Sequence, residues 1–367
     1  MPTFSDSSEH THFMSQALKL ARMSTRRVLP NPSVGAVIVH NGTIIGSGYH
    51  RFYGGPHAEI EALQSVSDHE LLSQSTLYVT LEPCAHFGKT PPCTDAIIQA
   101  KIPRVVVGCG DPFEHVKGRG LATLRAAGVA VVENCLAKEC TELNKRFILA
   151  HKLHRPYVIL KWAQTADGFI APPDRSKLQI SGPEAHSFVH LWRGQEMAIA
   201  VGSTTVKTDN PRLTVRDTAR YLSHELPPLH PLRVILGDTK EFSPRCKVFS
   251  SEAPTLIFSS ASLEVPEHIT VMPTTKQAAL LPVAMNELYK KNILSLFVEG
   301  GRHTLEQFIT HDLWDEARVC FAPHTIGTGV PAPQLPVDFY DSLSAGVDTF
   351  YLYRNPSREK NLGISEY

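Results

Sequence analysis

Apolar positions at Met14, Ala17, Leu18 and Ala21 recur at the spacing of one helix face. Val34–Val39 is a continuous apolar run and predicts a buried strand, with His40-Asn41-Gly42 as the turn of a hairpin into Thr43–Ser47. His57–Ser65 predicts a helix, Thr76–Thr80 a buried strand, Thr94–Ala100 a helix and Arg104–Val107 a further strand. Gly118–Ala127 reads as a helix closed by Gly128, followed by a short strand at Val129–Val132 and one long helix near Leu136–Ala150. Helices alternating with strands predict an α/β layered domain over residues 1–150. The polar segment His151–Pro156 marks its end.

The pattern restarts over residues 151–367. Strands are predicted at Tyr157–Lys161, Met197–Val201, Arg233–Leu236, Thr255–Phe258, Leu294–Val298, Ala317–Phe321 and Thr349–Tyr353. Helices are predicted near Pro183–Trp192, Ala284–Lys291 and Thr304–Thr310, giving a second α/β domain. The polar tail Asn355–Tyr367 is expected to be mobile.

Composition narrows the function classes. Lys+Arg and Asp+Glu are each 36, so the formal charge is zero, which argues against a broad basic footprint for nucleic acid. Apolar runs stay far below the roughly 20 residues of a membrane helix. The opening MPTFSDSSEH has no apolar core of a signal peptide. Seven cysteines in 367 residues do not make a disulfide framework, and a reducing, cytoplasmic setting is expected.

Two cysteines stand apart through their neighbours. His57-Ala58-Glu59 is followed by Pro83-Cys84 and, nine residues on, by Cys93. Zinc takes nitrogen and sulfur in tetrahedral geometry, and a catalytic site leaves one position to water. His57, Cys84 and Cys93 supply three ligands, and water on the fourth corner would have its pKa lowered to about 7. Glu59, two residues from the histidine, is placed to shuttle a proton without being a ligand. This is the donor set of nucleobase deaminases. A closed structural clip is the competing reading, with His86 as its fourth ligand.

The runs PNPSVGAVIV, HAEIEAL and TLYVTLEPCAHFGKTPPCTDAI resemble the deaminase half of the bifunctional diaminohydroxyphosphoribosylaminopyrimidine deaminase/5-amino-6-(5-phosphoribosylamino)uracil reductase (RibD) family of riboflavin biosynthesis. The resemblance implies a cytidine-deaminase-like α/β/α zinc domain. It also implies that Asn31, His50, His86 and Lys89 meet the deaminase substrate. Asn31 lies between two prolines, which stiffen its loop, and an amide can donate and accept at a pyrimidinone edge.

Further segments resemble the reductase half, which in this family is dihydrofolate-reductase-like and uses NADPH. They are Lys161–Gly168, Gln179–Gly182 leading to Leu191-Trp192-Arg193, Gly202–Arg216 and Phe297–Leu305. The resemblance implies cofactor contacts at Ala163, Gln179, Thr205, Asp209, Gly300, Gly301, Thr304 and Leu305. It implies reductase-substrate contacts at Lys161, Lys177, Arg193, Leu213, Arg216 and Glu299, with Arg193 and Arg216 as a clamp for the ribose phosphate. Gly300-Gly301 between a strand and a helix also suits a pyrophosphate on physical grounds, whereas no GxGxxG fingerprint is present. Departures from the family pattern are Gln179 in place of tryptophan, Gln164-Thr165-Ala166 before Asp167-Gly168, and Asn210 in place of a second aspartate. The expected partner is a small phosphoribosylated pyrimidine, with zinc and NADPH as cofactors, no nucleic acid and no membrane; self-association is left open. The rival readings are a deaminase with an inactive reductase domain, a tRNA or nucleobase deaminase, and a zinc-stabilised interaction module.

Overall fold

The computed structural model describes residues 4–87, 91–112, 118–216, 229–238, 242–243, 245–260, 265–274 and 280–362. They form two compact units that meet in sequence between Leu153 and His154.

The first unit contains α1 (Phe4–Ala21), β1 (Gly35–His40), β2 (Thr43–Tyr49), α2 (Ala58–Gln64), β3 (Thr76–Leu81), α3 (Cys93–Gln99), β4 (Arg104–Cys109), α4 (Arg119–Ala126), β5 (Ala130–Val132), α5 (Ala137–Leu143) and α6 (Lys145–Leu153). Its sheet runs in the order β2-β1-β3-β4-β5. β1 pairs antiparallel with β2 and β3, while β3, β4 and β5 are parallel. Ala36, Val37, Ile38, Leu77, Tyr78, Val79 and Val105–Val107 are buried along these central strands, as expected where both faces of a sheet are covered. The apolar face of α1, including Met14, Ala17 and Ala21, is fully buried.

Two expectations change in this unit. The long helix over Leu136–Ala150 is two helices, because Asn144 leaves helical geometry at φ −105°, ψ 18°. Apolar periodicity continues through the break and hides it. Helix α6 also extends through His151 and Lys152, residues whose polarity had marked the boundary.

The second unit contains β6 (Tyr157–Thr165), β7 (Phe169–Ala171), α7 (Pro183–Gln195), β8 (Ala198–Gly202), α8 (Ser203–Asp209), β9 (Leu232–Leu236), β10 (Thr255–Ser259) and β11 (Ile269–Pro273). After these come α9 (Leu280–Lys290), β12 (Ser295–Val298), α10 (Arg302–Thr310), β13 (Glu316–Ala322), β14 (Val330–Pro331), β15 (Asp341–Ala345), β16 (Asp348–Arg354) and α11 (Pro356–Leu362). Nine strands run in the order β11-β10-β9-β8-β12-β6-β13-β16-β15. Pairing is parallel from β11 to β13 and antiparallel through β16 and β15. Alternate residues of β8 divide between two cores. Ala198 and Ala200 join the cluster with Val158, Leu160 and Leu296, whereas Ile199 and Val201 join the one with Ile235 and Ile257.

The elements missed from sequence lie at the margins of the sheet or are very short: β7, β11, β14, β15 and α8. β15 reads Asp-Ser-Leu-Ser-Ala, a mostly exposed edge strand with little apolar signal. The described part of the tail is also ordered differently from expectation. Asn355 is buried and donates to Asp312 at 2.6 Å and to the Trp314 carbonyl at 3.0 Å. Arg358 on α11 pairs with Asp312 and Asp315. Polar side chains thus anchor a segment that hydropathy reads as loose.

Candidate active sites

In the first unit, His57 caps the N-terminus of α2, Cys84 follows β3, and Cys93 opens α3 behind Pro92. Their donor atoms lie within 4.8 Å of one another. His57 Nδ1 is 3.2 Å from Cys93 Sγ and 3.6 Å from Cys84 Sγ. Nitrogen and sulfur on adjacent corners of a zinc tetrahedron stand about 3.6 Å apart, so the donor set fits this ion. Among the described residues the cluster comprises these three side chains; His86 is exposed and outside it, which removes the closed-clip reading its fourth ligand. The Cys93 backbone N–H donates to Cys84 Sγ at 3.3 Å. The Cys84 thiol is pushed down to about 4, chiefly by the hydrogen bond from Cys93, with burial opposing and His57 assisting. Cys93 is correspondingly raised, so the pair retains one proton that a dication would displace.

Glu59, in the first turn of α2, is 3% exposed. Burial pushes its carboxyl up to about 7, with His57 opposing and Cys84 adding to the rise. A group balanced there can both take and return a proton at neutral pH.

Asn31 and His50 are brought together. Asn31 Nδ2 donates to His50 Nε2 at 3.0 Å, and His50 Nδ1 donates to the Pro56 carbonyl at 2.8 Å. A carbonyl only accepts, so His50 carries its proton on Nδ1 and offers a lone pair at Nε2. Burial lowers its pKa, in keeping with this neutral form. The His50 ring lies edge-on to that of His57, centroids 5.4 Å apart. Lys89 lies outside the described residues.

Sequence reading overlooked Glu82, a buried carboxylate that accepts backbone N–H groups of Asp111 at 3.3 Å, Gly118 at 3.1 Å and Gly120 at 3.1 Å. It ties the backbone that follows β4 to the strand end leading to Cys84. Its place beside Pro83-Cys84 was the available signal.

The second unit holds a cleft of about 1110 Å³. Every residue named above for cofactor or reductase substrate lines it. The cleft opens at the carboxyl ends of β6, β8 and β12, where ligands of parallel sheets gather. Helix α10 begins at Arg302, two residues earlier than expected, with Gly301 at its N-cap. Gly300 has φ +106°, a conformation that favours glycine, and its carbonyl accepts the Gly202 N–H at 3.0 Å. A Cβ on Gly202 would stand 2.3 Å from Thr304 Oγ1. The two strand ends therefore approach closely, with the Thr304 side chain from the first turn of α10 filling the space beside Gly202.

Arg193 differs from expectation. Its Nε and Nη2 donate to the two Glu299 oxygens at 2.5 and 2.6 Å, and Nη1 donates to the Thr214 carbonyl at 3.2 Å. The fork expected on a phosphate is engaged by a carboxylate. Burial alone would raise the Glu299 pKa; Arg193 and then Lys161 reverse this and hold it below the usual carboxylate range. Lys161 is half-buried, and burial lowers its pKa against the pull of Glu299. Arg216, Lys177 and Gln179 are exposed at the cleft. His190 was overlooked: its Nδ1 accepts the Arg216 backbone N–H at 3.1 Å. Burial, then Arg193 and Arg216, push its pKa down to about 4. Its only sequence mark was a place one helical turn before Arg193.

Of the departures, Gln164, Thr165 and Asn210 have structural roles. Gln164 accepts the Trp162 indole N–H at 2.8 Å inside the fold. Asp167 accepts from Thr165 Oγ1 at 2.5 Å and from the Gly327 N–H at 2.7 Å, pinning the turn before β7. Asn210 ends α8 in left-handed geometry and accepts the Lys247 N–H at 2.8 Å. Among the described residues no helix is long and apolar enough to cross a membrane.

Comparison with known proteins covers both units. The cytidine and deoxycytidylate deaminase zinc-binding region matches residues 7–109, and the RibD C-terminal domain matches residues 156–338. The chain is 39% identical to the riboflavin biosynthesis protein RibD of Aquifex aeolicus, over 87% of this chain and 88% of that protein. It is 37% identical to the protein of the same name in Escherichia coli, over 86% and 88%. The crystal structure of a Thermotoga maritima diaminohydroxyphosphoribosylaminopyrimidine deaminase/5-amino-6-(5-phosphoribosylamino)uracil reductase superposes with a TM-score of 0.84 at 33% identity, covering 95% of this chain and 99% of that one. Acinetobacter baumannii RibD superposes with a TM-score of 0.86 at 30% identity, covering 94% and 98%. With both halves matched, the chain belongs to the RibD family of riboflavin-biosynthesis deaminase/reductases.

Proposed function

We propose that the two units catalyse consecutive steps on one small phosphoribosylated pyrimidine. The first removes an exocyclic amine as ammonia by hydrolysis. The second, from His154 onward, reduces the ribosyl group of the product to ribityl with NADPH. His57, Cys84 and Cys93 would hold zinc. When bound, that ion supplies Lewis acidity that brings the pKa of water to about 7. Glu59 takes the proton from water and returns it to the leaving amine, a transfer suited to a carboxyl pushed up to about 7 by burial. One Asn31 N–H is spent on His50, which turns the remaining amide N–H and oxygen toward the pyrimidinone edge.

In the second unit NADPH supplies the hydride. Gly300, Gly301, Thr304 and Thr205 would receive the cofactor and Arg216 the substrate's phosphate, as a guanidinium suits phosphate geometry. Arg193 keeps Glu299 ionised and aimed, so that Glu299 accepts from sugar hydroxyls. The absence of a disulfide at any of the seven cysteines and the use of NADPH fit a cytoplasmic setting.

The observation that carries this reading is the triad of zinc-type donors beside a buried carboxyl balanced near neutrality. The test is a coupled assay on the full chain: ammonia release, then loss of NADPH absorbance, with and without a zinc chelator. Chelation should stop ammonia release while NADPH oxidation continues on supplied deaminated product. Ammonia release that survives zinc removal overturns the first assignment. NADPH that stays unoxidised with the deaminated product leaves a deaminase with an inactive second unit.

A further inference from the structure

Asn144 sits at the break between α5 and α6 and is 4% exposed. Its amide oxygen accepts the Ser33 N–H at 2.8 Å, and its amide nitrogen donates to the Ser33 carbonyl at 2.9 Å. The two residues are 111 apart in sequence. One side chain thus satisfies both main-chain groups of Ser33, as a neighbouring strand would.

Ser33 closes the run Pro30-Asn31-Pro32, and the prolines carry no N–H. The Asn31 N–H goes to the Val28 carbonyl at 3.0 Å, and the Ser33 N–H goes to Asn144. The loop is therefore tied on one side by its own preceding turn and on the other by a side chain from a distant helix junction. The Asn31 amide is tied in turn to His50.

We infer that Asn144 is a positioning residue of the deaminase site, fixing the loop that presents Asn31 to the pyrimidine. This rests on the reading of Asn31 as a substrate contact. The physical basis is that binding groups lose their value when displaced by about 1 Å. A half-buried carbonyl and N–H that lose this partner also lose what holds the loop in one conformation.

The test uses the full-length, zinc-loaded chain and two variants, Asn144→Ala and Asn144→Asp. For Asn144→Ala the deaminase KM should rise about ten-fold or more, with a smaller change in kcat. Its zinc content and the KM of the reductase reaction should stay at wild-type values. Asn144→Asp keeps an acceptor for the Ser33 N–H but, when ionised, has no donor for the Ser33 carbonyl. Protonation restores the donor, and burial raises a carboxyl's pKa. The ratio of its deaminase KM to that of wild type should therefore fall as pH is lowered from about 8 to about 6.

An Asn144→Ala chain with wild-type deaminase KM overturns the inference, as does loss of zinc and kcat together without a separate KM effect. If the alanine variant is not recovered folded, the aspartate profile decides: a KM ratio flat with pH overturns the inference. A wild-type chain that releases no ammonia overturns both the inference and the reading beneath it.

Discussion

The two sites are built by opposite means. In the first unit, His57 and Cys93 lie 36 residues apart, and each sits at the start of a short helix. In the second unit the central ion pair, Arg193 with Glu299, joins positions 106 residues apart on a helix and a strand end. A metal needs few donors of fixed type, so its site is spelled out in side chains. A dinucleotide is long and is commonly received by backbone, and in the second unit the strand ends at Gly202 and Gly300 approach closely enough to hydrogen-bond, a feature spelled out in strand order. The first site should accordingly fail abruptly when one side chain changes, and the second should fail by degrees.

The largest effect is expected at Glu59. Glu59→Gln should lower ammonia release by about 10²–10⁴-fold, the range of a lost general acid–base, while zinc content stays at wild type. Near-normal turnover in that variant would remove Glu59 from proton transfer and with it the abrupt side of the contrast.

An intermediate effect is expected at Arg216. Arg216→Ala should raise the reductase KM roughly ten- to hundred-fold, the value of hydrogen bonds to a charged group, with kcat changed much less. An unchanged KM would take Arg216 out of the phosphate site.

The smallest effect concerns pH and His190. Its folded pKa is about 4 against an unfolded value of about 6.5. As pH falls, the unfolded chain takes up this proton first, so folding stability declines between those two values and is unaffected above them. Thermal unfolding of wild type should shift downward on acidification through that window, and the shift should be smaller in His190→Asn. Equal slopes for the two proteins would show that His190 does not carry the effect.

Legibility followed the same division. HAE, PC and the later Cys93 named the metal donors before any fold was known, because thiolate and imidazole have few other uses in that combination. The alternating pattern also located the central strands of both sheets, since residues buried on both faces must be apolar. The protein partner of Arg193 was not legible. A guanidinium pairs equally well with phosphate and carboxylate, and only the fold brings Arg193 on α7 and Glu299 after β12 within 2.6 Å. The polar tail was misread for a related reason. Hydropathy counts Asn355 and Arg358 as solvent-seeking, yet buried acids and carbonyls receive them.

By itself, the sequence determined the central strands and most of the helices, a division into two α/β parts, and the chemistry of the metal donors. These depend on local periodicity and on the identity of single side chains. Only the tertiary structure decided that His50 holds Asn31, that Arg193 pairs with Glu299, and that Asn144 reaches Ser33. Each joins groups that local pattern cannot relate. A polar side chain is satisfied by whatever partner the fold brings within about 3 Å, and that partner is set by packing rather than by its neighbours in the chain.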